Sequence, residues 1–438
     1  MKAFIAILLI VNFNIHASVN ELFGPSSGSM ALGNQAEKDS AANNMISPAL
    51  LGFSKSTQFS FNFFYISSNL QAIKNVLLEN EMNSANDPRV GNIDVNRTPD
   101  LMFSLHYSSP MFTPEGPKFN LSLISPTDRI LEFETGGTYE PRYVMYGSRY
   151  FRPSIHFSLS KSFSDWSYGL GLITGFQSNG NTQFLTRFGN TGQSAGKISF
   201  NAKPSLAFTF SLAKKQNESF MHFISFQQEM KSNFQNRAIG ETDIGTPDPF
   251  IFDFTMKSLL SYDPYTIRYG FQSHHEKYSF YGGLEYQHWA SFKTSTIDIN
   301  VIGGNMGSSI DYEKIDVRNI LIPKAGMIFS INDQINFKLG YFYKPSILNT
   351  KKLTEAGNSI DSNKHVPTSG INYNFKLFGT VIAWDTAYQA HLLEIKKITK
   401  TPGREDGDTS EGEGKIGSPG YRIGGIVHVL STGISWKY

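Results

Sequence analysis

Runs of period-two alternation, joined by connections that are long and short in strict turn, constrain this chain more than any other feature. From Lys197 to Ala213, Ile198, Phe200, Ala202, Leu206, Phe208, Phe210 and Leu212 alternate with Ser199, Asn201, Lys203, Ser205, Ala207, Thr209 and Ser211. An extended chain sends successive side chains to opposite faces, so one face of this segment is oily and the other small and polar. The same split sets Ile335, Phe337, Leu339, Tyr341 and Tyr343 against Asn336, Lys338, Gly340, Phe342 and Lys344. It recurs around Phe59–Tyr65, Ile155–Leu159 and Trp166–Phe176. Pro204, which has no amide hydrogen to give a ladder, predicts a bend or bulge.

The pattern places strands near 57–67, 99–109, 118–125, 151–161, 166–177, 196–213, 219–232, 250–273, 277–290, 315–331, 334–345, 366–376, 379–396 and 421–438. Every second connection is a tight turn, such as 162–165 or 332–333, and those between are long, such as 68–98 or 397–420. A soluble sandwich shares the alternation but has no reason for this regular exchange. A transmembrane antiparallel β-barrel has one, because its periplasmic turns are short and its extracellular loops long. An even count, about fourteen strands, returns the last strand to the side of the first and leaves no open edge in lipid. Composition agrees. Charged residues make up only 17% of the 438, so much of the usual solvated surface is missing. No run of 18 apolar residues offers a transmembrane helix. Trp166, Tyr168, Trp289, Trp436 and Tyr438 near strand ends suit interfacial girdles.

The amino terminus reads as exported. Lys2, the apolar run Ala3 to Phe13 and small Ala17 predict a signal peptide over 1–17, since that run is too short to span a bilayer. Residues 18–56 are small, polar and Gly-rich without alternation, a composition that suits equally an N-terminal hatch plugging the lumen and a disordered periplasmic tail; 57–438 are expected to form the barrel. The closing strand ends on Trp436 and Tyr438, and resembles the carboxy-terminal signature read by the barrel-assembly machinery of Gram-negative bacteria. The expected location is therefore the outer membrane, in contact with its lipids. A formal charge of +2 gives no electrostatic footprint for nucleic acid.

Catalytic and metal-binding patterns are thin. The absence of cysteine removes thiolate chemistry and Cys-ligated metals. No Gly-x-Ser-x-Gly elbow accompanies His156, His222 or Asp385, so no enzyme and no cofactor are expected. His274 and His275 fall in a predicted turn, where adjacent histidines are more often solvated than metal-bound. Asp406, Asp408, Ser410, Glu411 and Glu413 lack the glycine placement of an EF-hand and read as a charged external loop over 404–414 rather than a calcium site.

Ser26-Ser27-Gly28, Ala31-Leu32-Gly33 and Ser47-Pro48-Ala49-Leu50 together resemble the amino-terminal hatch of the FadL/TodX family of outer-membrane transporters. Looser matches follow in order at Phe226–Lys231, Tyr286–Phe292 and Leu339–Pro345. The resemblance implies uptake of long-chain fatty acids or other hydrophobic compounds by passive diffusion past the hatch, through an apolar pocket and sideways out of the wall. It assigns hatch or gating positions to Gly28, Gly33, Ser47, Pro48 and Ala49. The family pattern has Asn where this chain has Ser47, which removes the amide whose hydrogen bonds that pattern implies. The rivals are a general diffusion porin, which needs rings of lumenal charge and no plug, and a surface receptor or adhesin. Few inward charges are expected: Lys203, Glu285, Lys338 and Asp385.

Overall fold

The computed structural model describes residues 20–78, 89–93, 100–127, 142–146, 152–187, 195–243, 250–292, 298–302, 316–349, 359–377, 379–399 and 420–438. The signal peptide expected over 1–17 and the acidic loop 404–414 lie outside these. Fourteen strands form one closed ring. In chain order they are β1 (Gln58–Leu70), β2 (Asp100–Pro110), β3 (Lys118–Pro126), β4 (Ser154–Phe163) and β5 (Trp166–Arg187). Next come β6 (Ala195–Asn217), β7 (Phe220–Gln227), β8 (Tyr265–His274), β9 (Tyr278–His288) and β10 (Ile320–Ser330). The ring is completed by β11 (Ile335–Lys344), β12 (Lys364–Leu377), β13 (Thr380–Thr399) and β14 (Gly420–Lys437).

Each strand pairs antiparallel with the next. β14 returns to β1 over Gln58↔Lys437 to Leu70↔Gly425, which closes the ladder. Closure is what allows such a sheet into lipid, where an unpaired edge has no water to satisfy it. The alternation sorts the faces as expected. Phe63, Leu159, Leu170 and Leu339 point outward and are exposed, while Ser104, His106, Asn120 and Lys338 are buried inside. Trp166, Tyr168 and Tyr438 are exposed beside the short turns.

Two strands depart from the expected run. The segment expected to be continuous over 219–232 breaks at Gln228–Glu229, and that expected over 250–273 breaks at Pro264. Beyond the breaks, Met230–Asp243 and Phe250–Asp263 form their own antiparallel pair, and Phe250–Asp263 also takes on Asp298–Ile302. Met230–Asp243 then runs parallel to Ser178–Arg187 of β5. Gln227-Gln228-Glu229 puts three polar residues in succession, which suits neither face of a lipid-spanning strand, and Pro264 cannot donate to a ladder. No register shift occurs at Pro204, where β5 and β6 stay paired without a bulge.

Candidate functional site

The N-terminal segment lies within the barrel. It consists of short helical turns, Asn20–Phe23, Ser27–Ala31, Ala41–Met45 and Pro48–Phe53. Ser26 caps the second by accepting a hydrogen bond from the Ser29 amide at 3.2 Å. Such short turns satisfy few of their own backbone groups, and a segment buried from water needs partners for the remainder. The small polar inward faces of the wall supply them. Ser104 Oγ donates to the Pro25 carbonyl at 2.7 Å, and His106 Nε2 approaches the same oxygen at 2.7 Å. The Ser27 amide donates to Asn62 Oδ1 at 3.1 Å. Ser225 Oγ donates to the Ile46 carbonyl at 2.6 Å, and Gln272 Nε2 to the Ala36 carbonyl at 2.8 Å. The segment is thereby tied to strands around the whole ring.

Of the residues singled out in the sequence, Gly28, Gly33, Pro48 and Ala49 sit at such close contacts, and Ser47 does not. A Cβ on Gly28 would lie 2.0 Å from Glu37 Oε2 and 3.0 Å from Lys338 Nζ, so the missing side chain leaves room for an ion pair. Gly33 has φ +71 and meets the backbone of Tyr341 and Ala325, a left-handed conformation open to glycine at little cost. Its amide donates to Thr368 Oγ1 at 3.1 Å. Gly340 faces it across the contact, where a Cβ would stand 2.3 Å from the Gly33 nitrogen, and Gly326 meets the preceding Leu32 backbone. Pro48 and Ala49 lie against Gly169 of β5, and the Ala49 amide donates to Ser211 Oγ at 2.8 Å. Ser47 is fully buried and its hydroxyl has no hydrogen-bond partner.

Asn44, which sequence reasoning passed over, holds the position that Ser47 does not. Its Nδ2 donates to Ser122 Oγ and to the His156 carbonyl, both at 3.0 Å, and its Oδ1 accepts from Ser158 Oγ at 2.5 Å. The paired Asn43-Asn44 inside an otherwise small-residue run was the available signal.

Charge is arranged as paired groups. Lys338 bridges Glu37 of the N-terminal segment and Asp385 of β13, the latter at 2.8 Å. Glu285 takes Arg268 at 3.1 Å and Lys324 at 2.8 Å. Buried ionic groups of this kind are costly to break singly. Glu285, Lys338 and Asp385 face inward as expected, but Lys203 is exposed, because the outer half of β6 stands clear of the enclosed interior. Beneath the segment, a polar cleft of about 140 Å³ is lined by Glu37, Asp39, Gln58, Asn62, Asp385 and Lys437.

Toward the ends of the strands that carry the long loops, a large apolar and aromatic cluster fills the interior beside buried charged groups, among them the pairs Arg152–Asp263 and Lys364–Asp361. Leu22, Phe23 and Met30 pack with Tyr262, Trp289, Phe342, Val427 and Val429 in one buried cluster. Tyr262 lies 5.7 Å from Trp289 and 5.4 Å from Phe292, ring centre to ring centre, the spacing of favourable aromatic pairs. Trp289 is therefore not a girdle residue: it is fully buried, and its Nε1 donates to Gln287 Oε1 at 3.0 Å. His391 stands beside Phe23, with centroids 5.8 Å apart, and its Nδ1 is 2.9 Å from the Tyr146 hydroxyl. Among the described residues, no three His, Asp or Glu side chains converge as a metal site.

No family model matches the chain. Over 195 residues it is 25% identical to alkane uptake protein A of Marinobacter nauticus, a match covering 44% of this chain and 40% of that relative's length. Two solved structures share the architecture nearly end to end. A Pseudomonas aeruginosa FadL homologue superposes with a TM-score of 0.63 at 13% identity, over 94% of this chain and 98% of that one. The P. putida toluene transporter TodX gives 0.57 at 12%, over 95% and 99%. Identities this low speak for the fold, and the chain matches less than half the length of the alkane uptake protein. The chain has the closed β-barrel fold of the FadL homologue and of TodX.

Proposed function

We propose that this barrel carries hydrophobic compounds, alkanes or long-chain fatty acids among them, passively across the outer membrane, with residues 18–56 as its hatch. The reading rests chiefly on the interior, filled by the N-terminal segment on the short-turn side and carrying a large buried aromatic and aliphatic cluster, threaded by paired charges, toward the long loops. An apolar solute gains nothing from a watery pore but about 0.8 kcal/mol for each methylene it buries. A cluster such as Tyr262, Trp289 and Phe342 repays its entry, and lateral release spares it rehydration. Gly28, Gly33, Ser47, Pro48 and Ala49 then act as hatch positions: two glycines allow close seating, and the Pro48-Ala49 corner rests on β5 and β6. The names of the similar proteins, alkane uptake protein A and the toluene transporter TodX, favour the same substrate class.

Deleting residues 24–46 tests the reading. Ionic conductance in planar bilayers should rise and saturable uptake of hexadecane or palmitate should fall. If a correctly inserted deletion variant leaves both unchanged, the hatch assignment is wrong.

A further inference from the structure

Two cations stand directly opposite each other high on the β13–β14 ladder. Lys397 and Arg422 are Cα partners in its register, and both are exposed. Their chain neighbours Ile398, Tyr421 and Ile423 are buried, so alternation turns the two cations to the outer surface of the wall. Facing side chains on a ladder start about 4.5–5.5 Å apart, and like charges there repel. Among the described residues neither cation forms an ion pair. Glu394, three residues back along β13, is already taken by Asn363 Nδ2 at 2.7 Å and His365 Nε2 at 3.2 Å. The exposed Arg237, by contrast, has its own carboxylate, with Nε 3.0 Å from Asp253 Oδ1.

Height decides what this pair faces. Trp384 and Tyr438, both exposed, sit in the aromatic belt on the short-turn side. Lys397 lies thirteen residues beyond Trp384 on β13; at about 3.3 Å per residue and a tilt of about 40° the rise is about 30 Å. The hydrocarbon band is about 25 Å tall, so the pair stands about 5 Å above its outer edge, among lipid headgroups. Just below, the register slips between Leu393 and Lys396, and this bulge sends Ile395 out to 73% exposure. Gly424 makes room for it, since a Cβ there would lie 3.2 Å from Ile395 Cγ1. Leu392, Tyr388 and Leu430, all exposed, carry an apolar track down the same face into the band.

We propose that Lys397 and Arg422 hold the phosphate of a phosphorylated glycolipid of the outer leaflet, whose acyl chains lie along Ile395, Leu392, Tyr388 and Leu430. A phosphate between the two cations turns their repulsion into charge-assisted hydrogen bonds, and the Arg422 fork can take two of its oxygens. A free anion would satisfy the charges alone. The apolar track that runs down from the pair favours an anion that carries acyl chains. The proposal rests on the placement in the outer membrane and not on what the barrel carries inside.

Native mass spectrometry of the full barrel in detergent, titrated with diphosphoryl lipid A or with the same lipid stripped of its phosphates, tests the site. The wild-type chain should bind the phosphorylated lipid at least about tenfold more tightly. Lys397→Gln with Arg422→Gln should weaken that binding about twenty-fold, a factor of about five for each cation, while leaving the stripped lipid unaffected. Lys277→Gln with Lys376→Gln removes the same charge from exposed positions beside the short turns and should change nothing. Lys397→Arg with Arg422→Lys, which keeps both charges, should retain binding. Inorganic phosphate equimolar with the lipid should leave it bound; displacement would make this a site for small anions and overturn the lipid assignment. Equal binding of the two lipids by the wild-type chain, or undiminished binding by the Lys397→Gln, Arg422→Gln variant, also overturns the site and leaves the membrane placement standing. A wild-type chain that fails to insert into lipid vesicles overturns that placement and the site with it.

Discussion

Replacing Asn44 and replacing Ser47 should have opposite consequences, although the two lie a single helical turn apart. Asn44→Ala removes three side-chain hydrogen bonds, to Ser122, the His156 carbonyl and Ser158. Each is worth about 1 kcal/mol net. Two of the deserted groups keep other partners: Ser122 Oγ has His106 Nδ1 at 2.9 Å, and Ser158 Oγ has Asn120 Nδ2 at 3.0 Å. The expected loss is therefore about 2 kcal/mol rather than three full bonds, or about thirty-fold in the equilibrium between seated and unseated segment. Ser47→Ala deletes a buried hydroxyl that has no partner, so it should be neutral or slightly stabilising. Single-channel recordings report the seated fraction directly, through the frequency of open events, and urea titration of the detergent-solubilised barrel reports stability. Equal behaviour of the two variants in both assays would refute the assignment of the anchoring role to Asn44.

Gly340→Val, which drives a side chain into the Gly33 nitrogen 2.3 Å from its Cβ, should raise open-event frequency, whereas Gly196→Ala, with its nearest atom at 3.8 Å, should not. Leu159→Arg, on the lipid face about midway up β4, should cost about 2–4 kcal/mol in refolding into vesicles, while Phe208→Arg, nine residues above the short turn on β6 and so closer to the outer boundary, should cost about 0–1; the reverse order would sink this placement of the two residues in the membrane. The unboiled protein should migrate differently from the boiled one on a denaturing gel, because a closed ladder resists detergent, and identical mobility would speak against closure.

Much of the fold was legible because a barrel strand carries its own periodicity. β11 shows this: Ile335 to Tyr343 names the outward face and Lys338, Phe342 and Lys344 the inward one, as found. Alternation reports which face a residue occupies, but not whether that stretch of strand still encloses a lumen. Lys203 was sorted to the polar face correctly, yet β6 has already left the enclosed part of the wall there. The inward turn at Gln228 was also written locally, as three consecutive polar residues, but a reading that seeks strands passes over one interruption within an otherwise regular run. Trp289 looked like a girdle aromatic because it follows a strand end; only the packing of Tyr262 and Phe292 around it reveals an interior position. The contacts of the N-terminal segment were partly visible. The glycines declared close approach, but Asn44's three partners lie on two strands far from it in the sequence, Ser122 on β3 and His156 and Ser158 on β4, and no local spacing around Asn44 points to them.

Recording ion conductance and apolar uptake side by side on the intact chain tests the central claim most directly. The filled short-turn half and the buried aromatic cluster above it predict negligible steady conductance in a planar bilayer together with saturable uptake of hexadecane or palmitate. Large, steady conductance without saturable apolar uptake would make this barrel an open water-filled pore and contradict the account.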